Sequence, residues 1–160
     1  MTREHVVNRA RSAIGHGCLY RLGQGGMKPH RTVPWDEEHE CDCSGFAMWA
    51  LGVSRFQDPL WYDSTRIFNE ARAGSAWFTE VPWDKAQPGD LLVYPDRTGT
   101  DGVRRHGHVS VVTEASSGPI LIADCSATNF SRYSDAIREG PLDAFVSRGV
   151  VARYARLENA

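Results

Sequence analysis

A short polar turn that becomes an apolar helix is the feature that most constrains this chain. The turn and helix occupy residues 41–51 and end near Gly52, and Phe46, Ala50 and Leu51 recur at helical spacing. Cys43 is therefore placed at or just before the helix N-terminus, where unpaired N–H groups and the helix dipole favour a thiolate. The segment predicts an amphipathic helix with a reactive cysteine at its start.

A second segment predicts a strand that begins at a histidine. His108 is followed by Val109, Val111 and Val112, which are β-branched and apolar. A nucleophile on one element and a histidine base on another is a common arrangement in covalent catalysis. His106 is the competing base, but it lies in a polar loop, so we favour His108.

The next apolar run ends in a carboxylate. Asp124 closes the predicted strand 120–125, and a charged residue there should be paired or exposed. If this strand lies beside the His108 strand, Asp124 can accept a hydrogen bond from the imidazole and leave the other ring nitrogen for Cys43. The alternatives are that Asp124 is a simple turn residue, and that Asp101 or Asn129 orients His108.

The cysteine also has an ordinary interpretation, because free cysteines are most often small buried hydrophobes. The flanking Asp42, Ser44 and Gly45 favour the nucleophile instead, since a small polar turn exposes the sulfur. In that case the backbone amide of Cys43 can donate to a developing oxyanion.

Length and charge limit the class of protein. The chain has 160 residues and 41% hydrophobic content, which predicts one domain over residues 1–160. A net charge of −2 gives nucleic-acid binding no electrostatic support. No apolar run approaches the length of a membrane span, and residues 1–7 lack a signal-peptide core. We expect a protein that stays in the cytoplasm or is secreted by a route that needs no signal peptide.

Four cysteines are too few and too scattered for a disulfide scaffold. A Cys18–Cys41 bridge remains open. A metal site is a rival interpretation of Cys41, Cys43 and the six histidines, but the paired spacing of structural zinc sites is missing. We therefore predict neither a metal nor a cofactor.

The order of elements predicts an α+β fold, with N-terminal helices packed on one side of a mainly antiparallel sheet. The first helix is capped by Thr2 and stops at Gly15, and the polar, glycine-rich residues 15–40 are expected to form a long loop. The third helix runs from Ser64 to about Ala73. The predicted strands cover residues 76–81, 90–94, 108–113, 120–125 and 150–154, and a short helix is expected over residues 132–140.

Five motifs in order resemble the NlpC-type cell-wall peptidases, a branch of the papain-like cysteine peptidases. The family pattern has a tyrosine turn, Asp-Cys-Ser-Gly-Phe, Pro-Gly-Asp-Leu, a Gly-His-Val strand and a polar residue on the next strand. The matching segments of this chain are residues 17–20 with Gly23, 42–46, 88–91, 107–109 and 124–126. The chain differs at Leu19, where the family has proline, and at Asp124, where the family often has histidine.

The resemblance implies a papain-like core and hydrolysis of amide bonds in peptidoglycan stem peptides or cross-links. It assigns Cys43 as nucleophile, His108 as general base and acid, and Asp124 as the orienting residue. It also suggests that Tyr20 lines the site and supports the oxyanion or the substrate, and that Asp42 and Ser44 contact a substrate amine.

Two further functions stay open. The chain could be a secreted amidase effector or a phage lysin with the same chemistry, for which an inhibitor or immunity protein would be the expected partner. It could also be a catalytically silent binding domain of the same fold, although the intact Cys43, His108 and Asp124 set disfavours that hypothesis.

Overall fold

The computed structural model describes residues 1–142 and 149–158. Each α-helix in this part of the chain begins after a capping residue whose side chain accepts a hydrogen bond from an N–H of the first turn, as preferred at helix N-termini. The four caps are Thr2, Asp42, Asp63 and Ser126. The helices are α1 (Arg3–Ser12), α2 (Cys43–Ala50), α3 (Ser64–Ala73) and α4 (Ala127–Tyr133).

The strands of the described residues are β1 (Leu19–Tyr20), β2 (Glu40–Cys41), β3 (Phe56–Gln57), β4 (Leu60–Trp61), β5 (Phe78–Val81), β6 (Leu91–Tyr94), β7 (Arg97–Thr98), β8 (Arg104–Arg105), β9 (His108–Ala115), β10 (Pro119–Cys125), β11 (Ile137–Pro141) and β12 (Val150–Tyr154). Six of them form the main sheet in the order β11-β10-β9-β6-β12-β5, and every neighbouring pair is antiparallel. The fold is α+β, as the sequence predicts.

The helices cover one face of this sheet. α2 packs against β9 and β10, and α3 packs against β5, β6 and β12. Alternation along β9 sends Val109 and Val111 into the large cluster that the first three helices share, whereas Val112 joins a smaller cluster with no residue from those helices. All eight residues of α2 are buried, so this helix is a core element and the prediction of an amphipathic helix is wrong.

The predicted helix over residues 132–140 is also wrong. The helix in this region is α4, which starts five residues earlier because Ser126 caps it, and Ser134 then takes a left-handed conformation that ends it. Residues 137–141 form β11, and all five of them pair with residues of β10. Ladder hydrogen bonds to a neighbouring strand, which local sequence does not reveal, decide the structure here.

The expected long loop over residues 15–40 contains two short strands at its ends, since β1 pairs with β2 in parallel. The predicted strands agree with β5, β6, β9, β10 and β12 to within two residues at each end. All four cysteines are free thiols, so the Cys18–Cys41 bridge is not formed.

The described residues contain no group of three or more His, Cys, Asp or Glu side chains that could hold a metal ion. None of their helices is both long and apolar enough to cross a membrane.

Candidate active site

Cys43 is the first residue of α2, directly after the capping Asp42. The N–H groups of a first helical turn have no acceptor within the helix, so they and the dipole create a positive potential at this sulfur. Gly45 makes the placement possible, because a Cβ there would lie 2.7 Å from the carbonyl oxygens of Gln24 and Gly25. The side chain of Cys43 is largely buried, with 6% of the residue exposed.

A buried ion pair fixes the turn in front of Cys43. Asp42 Oδ1 accepts from Arg55 Nη1 at 2.7 Å and from the Gly45 amide at 2.7 Å, and Oδ2 accepts from the Gly23 amide at 2.7 Å. Ser44 Oγ accepts from Arg55 Nη2 at 2.8 Å. The polar atoms of both predicted substrate contacts, Asp42 and Ser44, are therefore already bonded within the protein.

The sequence patterns do not predict the role of Arg55. It is 1% exposed, and its guanidinium lies over the ring of Trp61 at 4.2 Å. No periodicity or motif predicts this residue's contacts, because its partners lie on the loop that precedes α2 and on the β3–β4 hairpin. The available signal was Asp42 itself, since a buried carboxylate requires a cation or several N–H donors.

His108 begins β9, between β6 and β10 in the main sheet. The preceding Gly107 approaches the backbone of Tyr94 so closely that any Cβ would collide with the Tyr94 carbonyl oxygen. The imidazole Nε2 lies 2.7 Å from Asp124 Oδ2, and because a carboxylate only accepts, Nε2 donates. Interaction with the Cys43 thiol also raises the pKa of this imidazole, and Nδ1 is the ring nitrogen left for it.

Asp124 lies near the end of β10, the strand that pairs with β9 as the sequence argument required. Its second oxygen, Oδ1, accepts from Asn129 Nδ2 at 2.8 Å. Asn129 Nδ2 also lies 3.1 Å from the carbonyl oxygen of Ala136, which ties α4 to the segment before β11. The geometry makes Asp124 the direct partner of His108 and Asn129 the partner of Asp124.

The surroundings of His108 favour its charged form. Burial by itself lowers the pKa of this histidine, but hydrogen bonds to Asp124 and Cys43 and the charges of both groups outweigh burial and raise the pKa to about 10. The imidazole is therefore a group that holds a proton in the site at neutral pH.

Tyr20, on β1, is half-buried and lines the same cavity as Cys43. Burial, followed by the charges of Cys43 and Asp42, raises the pKa of its phenol. The hydroxyl consequently stays protonated and can act as a hydrogen-bond donor.

The alternative candidates, His106 and Asp101, pair with other residues. The side chain of His106 is 59% exposed, and its Nδ1 lies 3.9 Å from Asp96. Asp101 forms an exposed ion pair with Arg105. The structure thus brings Cys43, His108 and Asp124 together and leaves both alternatives outside the group.

Members of this group line two cavities. One, of about 530 Å³, is lined by His108 and Asp124, with residues of α4 and β11 on its far side. The other, of about 230 Å³, is lined by Cys43 and Tyr20, with Trp61 and His106 opposite them. The thiol therefore lines one cavity, and the imidazole that interacts with it lines the other.

A cysteine at the start of a buried helix and a histidine on an antiparallel sheet are the arrangement typical of a papain-like fold. Residues 33–126 match the CHAP domain, a papain-like cysteine peptidase or amidase domain found in cell-wall hydrolases, and the chain belongs to this family. The predicted resemblance to cell-wall peptidases is thereby confirmed, with CHAP as the family and NlpC-type enzymes close to it. No curated protein matches the chain.

Proposed function

We propose that this protein is a cysteine amidase or peptidase that hydrolyses an amide bond in peptidoglycan stem peptides or cross-links. Membership of the CHAP family supports a hydrolase that acts on the cell wall. The observation that carries the proposal is that one imidazole, His108, lies 2.7 Å from the Asp124 carboxylate and also interacts with the Cys43 thiol. Nucleophile, base and orienting group need this order in space.

In the proposed reaction the Cys43 thiolate attacks the amide carbon, and His108 gives its proton to the departing amine nitrogen. Water then attacks the thioester with His108 as base, which releases the acid and restores the thiol. Cys43 and Tyr20 line the same cavity, and in this proposal the Cys43 backbone N–H and the Tyr20 hydroxyl donate to the developing oxyanion. Asp124 holds the imidazole orientation and stabilises its charged form.

Asp42 and Ser44 are assigned a positioning role in this proposal. Arg55 and backbone amides already occupy their oxygens, so they fix the N-terminus of α2 without needing a substrate amine. A substrate with an acylated nitrogen, as in an intact wall, is compatible with this arrangement.

The test is incubation with purified peptidoglycan, followed by mass spectrometry of the released fragments. The wild-type protein should release fragments with new amine and carboxyl ends, and Cys43→Ala should release none. A catalytically silent binding domain would sediment with the wall and release nothing in either form, which would refute the proposal.

A further inference from the structure

The cavity beside His108 and Asp124 carries two arginines that the proposed reaction does not use. Arg138 on β11 and Arg132 in the last turn of α4 both line it. A protonated imidazole must face the nitrogen that leaves, whereas the thiol bonds the acyl carbon. The 530 Å³ cavity on the imidazole side is therefore where the amine side of a cleaved amide would lie.

Strand register places Arg138 close to the reacting groups. Arg138 pairs directly with Asp124 across β10 and β11. Residues opposite each other in an antiparallel pair project from the same face, with Cβ atoms about 4.5–5.5 Å apart. The guanidinium lies over the ring of Tyr133, 4.1 Å from its centroid, and this stacking holds it at the cavity wall.

In the described part of the chain, the carboxylates that line this cavity are already paired. Asp124 is bonded to His108, and Glu139 is paired with Arg11 at 2.7 Å. Within residues 1–142 and 149–158, neither Arg132 nor Arg138 forms an ion pair. Among the described residues, the cavity therefore presents two arginines that form no ion pair with the carboxylates lining it.

We propose that Arg132 and Arg138 form a subsite for a carboxylate on the amine side of the scissile amide. The guanidinium fork matches a carboxylate with two parallel hydrogen bonds, which gives both affinity and orientation. This inference rests on the proposed function and restricts the substrate bonds that it includes. The substrate bond is one whose amine-side residue, or the residue beside it, carries a free carboxylate.

The experiment compares two forms of one purified peptidoglycan. One keeps its free stem-peptide carboxylates, and the other has them converted to carboxamides by carbodiimide coupling with ammonia and is then washed. Initial rates of fragment release are measured below saturation. The wild-type protein should be about 10-fold or more slower on the amidated wall, the effect of losing one charged hydrogen-bonded pair.

Arg132→Gln and Arg138→Gln should each lose about 10-fold on the untreated wall and change little on the amidated one. Arg138→Lys keeps the charge and should retain more activity than Arg138→Gln. Arg72→Gln, which removes an exposed arginine of α3 paired with Glu80, is the matched control and should leave both rates unchanged. Melting temperatures of the variants check that each one is folded.

Equal wild-type rates on the two walls would overturn the subsite, and so would arginine variants that lose the same factor on both. Either result leaves the proposed function intact, because cleavage still occurs. A wild-type protein that cleaves neither wall would refute the proposed function, and the subsite with it.

Discussion

Asp42 and Arg55 form a two-point ion pair at the N-terminus of α2, with Nη1 and Nη2 of the guanidinium 2.7 Å and 3.2 Å from the two carboxylate oxygens. Both residues are almost completely buried. The same carboxylate caps the N-terminus of α2, so one side chain begins the helix, holds the Gly23 backbone and fixes the turn that presents Cys43. The position of the candidate nucleophile thus depends on an arginine twelve residues away.

Removing that arginine should destabilise the whole protein. Arg55→Gln leaves the Asp42 charge buried without its cation, and the free energy of unfolding should fall by about 3–5 kcal/mol. Urea denaturation followed by tryptophan fluorescence measures the loss. Arg105→Gln breaks an exposed ion pair with Asp101 and should cost less than about 1 kcal/mol. Similar small losses for both variants would mean that the ion pair does not anchor α2.

Cys43 should be the first thiol to react. Cys18, Cys41 and Cys125 are fully buried, and burial raises the pKa of the Cys41 and Cys125 thiols, which disfavours their reactive thiolates. Iodoacetamide at neutral pH, followed by peptide mapping, should find Cys43 modified first. Cys43→Ala should abolish hydrolysis, whereas alanine at any of the other three should leave most of it. Faster labelling of Cys41 or Cys125 would contradict the assignment.

Substitutions at His108 and His106 should reduce activity to different extents. His108→Ala removes the imidazole that contacts both Cys43 and Asp124, and kcat should fall by about 10³-fold or more. His106→Ala should have a smaller effect, because that ring is exposed and faces Asp96 at 3.9 Å. Steady-state kinetics on soluble fragments of the wall measure both. An equal or greater loss at His106 would overturn the choice of base.

Asp124→Asn should change the pH profile as well as the rate. In the wild-type protein His108 has a pKa raised to about 10, so the imidazolium is lost only as pH rises through that value. Without the carboxylate this pKa falls, and the alkaline limb of kcat/KM should move to lower pH. We expect kcat to drop by about 10²–10⁴-fold with a smaller rise in KM. Asp101→Asn is the control and should keep both the rate and the profile.

The contribution of His108 to the free energy of unfolding should also decrease as pH rises. A histidine whose folded pKa lies above its ordinary 6.5 stabilises the fold most fully below pH 6.5, and that contribution disappears as pH rises through about 10. The difference in unfolding free energy between the wild type and Asp124→Asn should therefore shrink between these limits. A difference that stays constant with pH, together with an unshifted alkaline limb, would show that another residue orients His108.

Local sequence determined the helix that carries Cys43, the strand that carries His108 and the α+β class. The reasons are local: Asp42 and Gly45 suit a helix start, and Val109, Val111 and Val112 suit a buried strand. The motif order also indicated a papain-like family of cell-wall hydrolases, the NlpC-type enzymes, which is close to the CHAP family that the chain matches.

Only the tertiary structure decided the rest. β11 lies where a helix was predicted, because its backbone hydrogen-bonds to β10. Arg55 pairs with Asp42 although no sequence pattern predicts that ion pair. Pairing between strands and burial of charge depend on which segments meet in space. The positions of Arg138 beside Asp124 and of Arg55 beside Asp42 follow from those long-range contacts, which single-sequence periodicity does not encode.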